Sequence, residues 1–160
     1  MAKPKSGRSA RSSAKSSSRY RLKPAPRDAA LQPTPRLSDE DRADLTEGVE
    51  LFNAGKYWDA HEAWEKIWQR HSEPWRYFVQ GLIQAAAAHH QLQRGIRHGV
   101  IKHLHNALVK LEAAPPDFAG LNLGPFRDYL HQLLGAVETA SMERVPPLLQ
   151  LRFIQSGDDE

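Results

Sequence analysis

Leu45, Val49 and Phe52 recur at helical spacing behind a Ser38-Asp39-Glu40-Asp41 start. A serine at that place accepts a hydrogen bond from the first free N–H groups of a helix, and acids in the first turn suit its dipole. Gly55 supplies the left-handed residue that closes the element. A second helix is predicted over residues 57–71, with Ala60, Ala63, Trp64, Ile67 and Trp68 on one face. Pro74 opens a third, which runs to Arg94 before Gly95 stops it. A fourth, near 96–114, puts Ile96, Val100, Leu104, Ala107, Leu108 and Leu111 on one stripe, and Pro115-Pro116 end it. A loop with Gly120 and Gly124 leads to Pro125 and a fifth helix reaching Ala140, with Phe126, Leu130, Leu133 and Val137 inward. After Pro146-Pro147, LLQLRFI is apolar but short, and is expected to cross the helices as an extended or one-turn segment. No other stretch alternates as a strand does. The predicted class is all-α: a compact array of about five helices in stacked antiparallel hairpins.

A faint internal repeat supports hairpins. An offset of 40 residues pairs Phe52 with Leu92, Gly55 with Gly95, Ala60 with Val100, Trp64 with Leu104 and Trp68 with Leu108. Gly55-x-Tyr57-x-x-Ala60 has the local pattern of a tetratricopeptide turn. The period and the two copies fit stacked hairpins rather than a true solenoid.

Charge divides the chain. Residues 1–36 hold ten Lys or Arg and one acid, so they carry +9 of a net +3 and the remainder carries −6. Leu22 and Leu31 are their only Leu, Ile, Val or Phe. So little apolar surface cannot offset the cost of ordering a backbone, and a disordered tail is expected. The division is then a basic Ser/Lys/Arg/Pro-rich tail over 1–36, a helical domain over 37–145, and an extension over 146–160 that packs on the domain and then frays. The tail lacks the apolar stretch of a secretory signal and the amphipathic face of a transit peptide. Weak contact with nucleic acid or ribosome through it is an alternative to a merely solubilising role. The absence of cysteine excludes disulfides, thiolate metal sites and a Cys nucleophile, and fits a cytoplasmic location. The longest uncharged run, YFVQGLIQAAAAHHQLQ, carries four Gln and two His, too polar for a lipid-facing span, so no membrane partner is expected.

The candidate chemistry lies in YWDAHEAWEKIWQRH, residues 57–71. At about 100° per residue, His61 and Glu65 share the margin of the apolar face beside Trp58, while Glu62 and Asp59 turn towards solvent. A carboxylate bonded to one ring nitrogen of a histidine fixes its tautomer and raises its basicity. Zinc chemistry needs a third protein ligand, and HExxE lacks the second His of the HExxH helix. On the third helix Arg76, Gln80, Gln84, Gln91 and Arg94 fall within one narrow strip, which places Gln80 or Gln84 opposite His61 and Glu65 in a hairpin. Spacing alone favours a structural hydrogen-bond network, ahead of a ligand or catalytic site and a solvated edge. Of His89 and His90, one is expected to pack and one to be wet. His98 and His105 read as a solvated face, and His103 and His131 stand alone.

The run FNAGKYWDAHEAWEKIW, followed by RYFVQGLIQAAAAHHQLQRG and a fourth helix opening with Gly99, resembles the bacterial and plastid family catalogued as domain of unknown function 309. The resemblance covers roughly residues 45–112. It implies a compact helical array, no established biochemical role, and a label of predicted metal-dependent hydrolase. Its polar motif falls on His61, Glu62, Glu65, Gln80 and Gln84. A His that the family often carries late in the third helix falls at Gln91 here, with histidines at 89 and 90 instead.

Two functional readings follow. In the first, the protein is a binding module whose cluster of Trp58, His61, Glu65, Arg76, Gln80 and Gln84 takes a partner segment or small ligand, with no cofactor. In the second, a divalent metal on His61 and Glu65 serves a hydrolase with Glu62 as general base.

Overall fold

The computed structural model describes residues 36–155. The tail expected over 1–36 lies, apart from Arg36, outside the described residues, as does the end of the extension beyond Gln155. Among the described residues five helices follow in order: α1 (Asp39–Asn53), α2 (Tyr57–Arg70), α3 (Trp75–Gln93), α4 (Arg97–Ala113) and α5 (Leu123–Thr139). A 3-10 turn, Phe118–Gly120, precedes α5. Each helix packs on the next in sequence, and among the described residues there is no strand, only an isolated antiparallel bridge between Leu121 and Phe153. None of these helices is long and apolar enough to cross a membrane.

The Ser38 cap forms as the pattern implies. Ser38 Oγ accepts from the Asp41 backbone N–H at 3.0 Å, and the Asp41 carboxylate accepts from the Ser38 N–H at 3.4 Å. Asp41 is also buried at 3% exposure and ties α1 to the far end of α2. It accepts from Arg70 Nε at 2.9 Å and His71 Nε2 at 2.7 Å. Burial opposes its ionisation, but the bonds from His71 and Arg70 outweigh that and hold its pKa below the usual carboxylate value. Arg70 also reaches Glu40 and Asp44, so α1 and α2 are clamped at one end by charge-assisted bonds.

The repeat is visible in the backbone. Gly55 and Gly95 both have positive φ, 81° and 72°. Lys56 N–H bonds Leu51 O, and forty residues later Ile96 N–H bonds Gln91 O. These are matching Schellman closures, and the left-handed residue at each is one that glycine adopts without Cβ strain. Between the copies, Ala60, Val100, Trp64 and Leu104 all reach 0% exposure. One expected core position is corrected. Ile96 is 37% exposed, because as the residue before α4 it has non-helical angles (φ −100°, ψ 89°) and so does not share that helix's inner face.

Close approaches set the helix spacing. Gly48 of α1 lies against the indole of Trp64, and Gly81 of α3 lies against Leu111 and the stem of Lys110 on α4. At the centre Phe52 packs edge-on to Tyr57, Phe126 and His89. His89, 1% exposed, bonds Ala85 O at 2.7 Å through Nδ1 and Tyr129 Oη at 2.8 Å through Nε2. A carbonyl only accepts, so Nδ1 carries the proton and Tyr129 donates to Nε2.

The segment after the double proline runs extended. Asn53 exchanges two hydrogen bonds of 2.9 Å with the backbone of Leu151, which is 1% exposed. Ile154 N–H bonds Gly120 O, and Asn122 N–H bonds Arg152 O.

Candidate functional site

The polar residues of α3 form a half-buried seam between α2 and α4. Arg76, Gln80, Gln84 and Gln91 recur along one side of the helix because their spacing advances close to whole turns. From α2, Trp58 contacts His90 at 5.3 Å between ring centroids, and Trp68 lies beneath Arg76, its centroid 3.6 Å from Arg76 Cζ. From α4, His103 Nδ1 bonds Gln84 Oε1 at 2.6 Å, and Gly99 lets the Gln91 side chain pass where a Cβ would come within 3.0 Å of it. The seam therefore has one wall of aromatic and His-Glu residues and another of His103 and the stem of Lys110.

His61 stacks on Trp58, the ring centroids 4.6 Å apart and 14° from parallel. Its Nε2 stands 3.6 Å from Glu65 Oε1, an ion-pair distance that is too long for a hydrogen bond. The His61 side chain is 16% exposed and that of Glu65 45%. Nδ1 of His61 is shielded and has no hydrogen-bond partner among the described residues. Two other atoms share that condition, Arg76 Nε and Tyr77 Oη.

The expected network of His61, Glu65 and a glutamine does not form as drawn from spacing. Gln84 turns to His103 on α4 instead, which corrects the reading of His103 as solitary. The cause is the packing of α3 on α4, which brings His103 within bonding distance of Gln84; a side chain's choice between two neighbouring helices is set by that packing. Burial lowers the pKa of His103, with Lys102, His61 and His98 adding in the same direction. His131 is likewise paired, at the surface, with Glu112. His105 meets Glu138 at 3.3 Å on an exposed face, and His98 is exposed. His89 packs, while His90 is partly exposed against Trp58.

Glu62 is on the outer surface. With Glu47, Asp59 and Lys66 it lines a groove of about 580 Å³ between α1 and α2, which Glu65 also borders but His61 does not. Among the described residues no three His, Cys, Asp or Glu side chains are grouped so as to hold a metal ion. Residues missed by reading α2 and α3 alone are His103 and Lys110. The two-copy hairpin pattern, which stacks α4 on α3, is the signal that could have pointed to them.

Residues 45–103 match a protein family described as Domain of unknown function (DUF309), in keeping with the motif resemblance. An uncharacterized protein of Aquifex aeolicus (strain VF5) is 33% identical over 107 residues, which is 66% of this chain and 31% of the relative. The chain thus spans about a third of the length of the curated relative it matches.

Proposed function

We propose that the protein is a non-enzymatic binding module whose seam along α3 takes an extended partner segment. The observation that supports this reading is the pair of shielded, unpartnered nitrogens, His61 Nδ1 and Arg76 Nε, on one seam. Buried polar groups are nearly always paired, and each one left alone costs roughly 1–3 kcal/mol. A ligand that parts the side chains over them and supplies the missing partners gives a physical reason for keeping them. The glutamines suit a backbone. Gln80 and Gln84 are one helical turn apart, about 6 Å, close to the roughly 6.6 Å between alternate residues of an extended chain. The Gln80 amide offers both a donor and an acceptor, and Gln84, whose oxygen is bonded to His103, keeps its N–H groups to donate. The basic tail is a separate feature, and any weak contact with polyanions belongs to it.

The competing reading is a metal-dependent hydrolase. His61 and Glu65 would provide two ligands where a catalytic zinc takes three, and Glu62 lines a groove that His61 does not reach. Elemental analysis of tag-free protein separates the two. The binding reading expects far less than one metal per chain. One equivalent, lost in both His61→Ala and Glu65→Ala while the circular dichroism stays helical, would replace it with the hydrolase.

A further inference from the structure

One end of the seam is cationic. Arg76, on the first turn of α3, sits over the Trp68 indole with Cζ 3.6 Å from the ring centroid, and has no ion pair among the described residues. Stacking of this kind fixes the guanidinium plane while leaving its edge to bond an oxyanion. Across the same turn, the absence of a Cβ at Gly81 draws in α4 and lays the Lys110 stem beside α3. Lys110 Nζ then stands 5.1 Å from the Tyr77 ring centroid, and Tyr77 Oη is shielded without a hydrogen-bond partner among the described residues. Glu73 is the acid near this end. It is exposed, and its charge reaches Tyr77, whose pKa is raised first by burial and then by that carboxylate. Glu65 lies further along and faces His61.

Resting on the binding reading above, we propose that the Arg76 end is a carboxylate subsite, so that the partner segment is acidic, with an Asp or Glu side chain bonded by Arg76. Gln80, one turn further along α3, holds the adjoining peptide unit. The guanidinium edge donates to both carboxylate oxygens at once, a geometry that a lysine in its place cannot reproduce. The stacking on Trp68 removes the conformational freedom that an exposed arginine would lose on binding.

Fluorescence anisotropy on the full chain tests this with a labelled, end-blocked nonapeptide of Ser, Gly and Ala carrying Asp-Asp at its centre. The same peptide with Asn-Asn is the control. The expected result is tighter binding of the Asp-Asp peptide, weakened about tenfold or more by Arg76→Gln, and restored only in small part by Arg76→Lys. The basic tail is unchanged in these variants, so attraction to the tail survives them. Binding unaffected by Arg76→Gln, or no binding, overturns the carboxylate subsite. If Gln80→Ala still weakens binding when Arg76→Gln does not, the seam stands and only the subsite falls. If neither matters, both fall. Inorganic phosphate that displaces the peptide at equal concentration would make the site one for free oxyanions and overturn the peptide assignment. Urea unfolding of each variant confirms that the comparison is made on folded protein.

Discussion

Gly48→Ala is expected to destabilise the protein by about 3 kcal/mol, although alanine is the better helix former. An ideal Cβ at residue 48 would stand 2.1 Å from Trp64 Nε1 and 2.5 Å from its Cδ1. Trp64 has no room to yield, being wholly buried and packed against Phe52 at 6.0 Å between centroids. Its indole N–H also bonds Leu45 O at 3.3 Å on the same stretch of α1. Overpacking of a rigid contact typically costs about 1–3 kcal/mol, occasionally more. Displacing the indole loses a hydrogen bond of about 1 kcal/mol, and the propensity gain of about 1 kcal/mol offsets only that part. The internal repeat suggests the remedy. At the offset of 40, Gly48 and Trp64 correspond to Ala88 and Leu104, a larger residue facing a smaller one, and both are fully buried. Gly48→Ala combined with Trp64→Leu is therefore expected to recover part of the loss. In urea denaturation, a double variant no more stable than the additive sum of the two singles would contradict the close-contact explanation.

Acid should weaken the fold through His89. Burial lowers its pKa to about 4, only partly countered by its bond to Ala85 O, against 6.5 for an unperturbed histidine. The unfolded chain therefore takes up a proton at higher pH than the folded one. The contribution is complete above pH 6.5, declines as pH falls through the window from 6.5 to about 4, and changes no further below it. A difference of that size corresponds to about 3 kcal/mol. Tyr129, whose pKa is raised first by burial and then by Tyr57, stays protonated throughout and keeps donating to Nε2. Replacing the pair together, His89→Leu with Tyr129→Phe, leaves neither partner unpaired. Unfolding free energies from pH 7 to 4 should then fall less steeply, by close to one proton at mid-window. An unchanged slope would mean that His89 does not carry the dependence. Asp41, also lowered, loses its contribution only below the ordinary carboxylate range and so outside this window.

Local chemistry made much of the fold legible. Ser38, Gly55 and Gly95 act within one turn of themselves, and the structure uses all three as caps and closures. The i, i+4 pairing of His61 and Glu65 needs only the helical period. Gly48 was not legible, because its need for a missing side chain is created by Trp64 on the next helix. The partner of Gln84 was not legible either. It depends on the α3–α4 register, and the period of α3 alone cannot say which neighbouring helix a side chain will choose. Ile96 shows the converse, a periodic residue left outside because the helix starts one position later.

The central claim is that His61 is kept for a ligand and not for the fold, and the stability of His61→Leu tests it most directly. Leucine retains packing against Trp58 and removes a shielded nitrogen that has no partner among the described residues. The loose pair with Glu65 forgoes only about 0.2–0.5 kcal/mol. In urea denaturation at pH 7 the variant should match or exceed the wild type. A loss of about 1–3 kcal/mol, the cost of breaking a satisfied buried polar contact, would make YWDAHEAWEKIWQRH a packing edge and remove the ground for a binding seam.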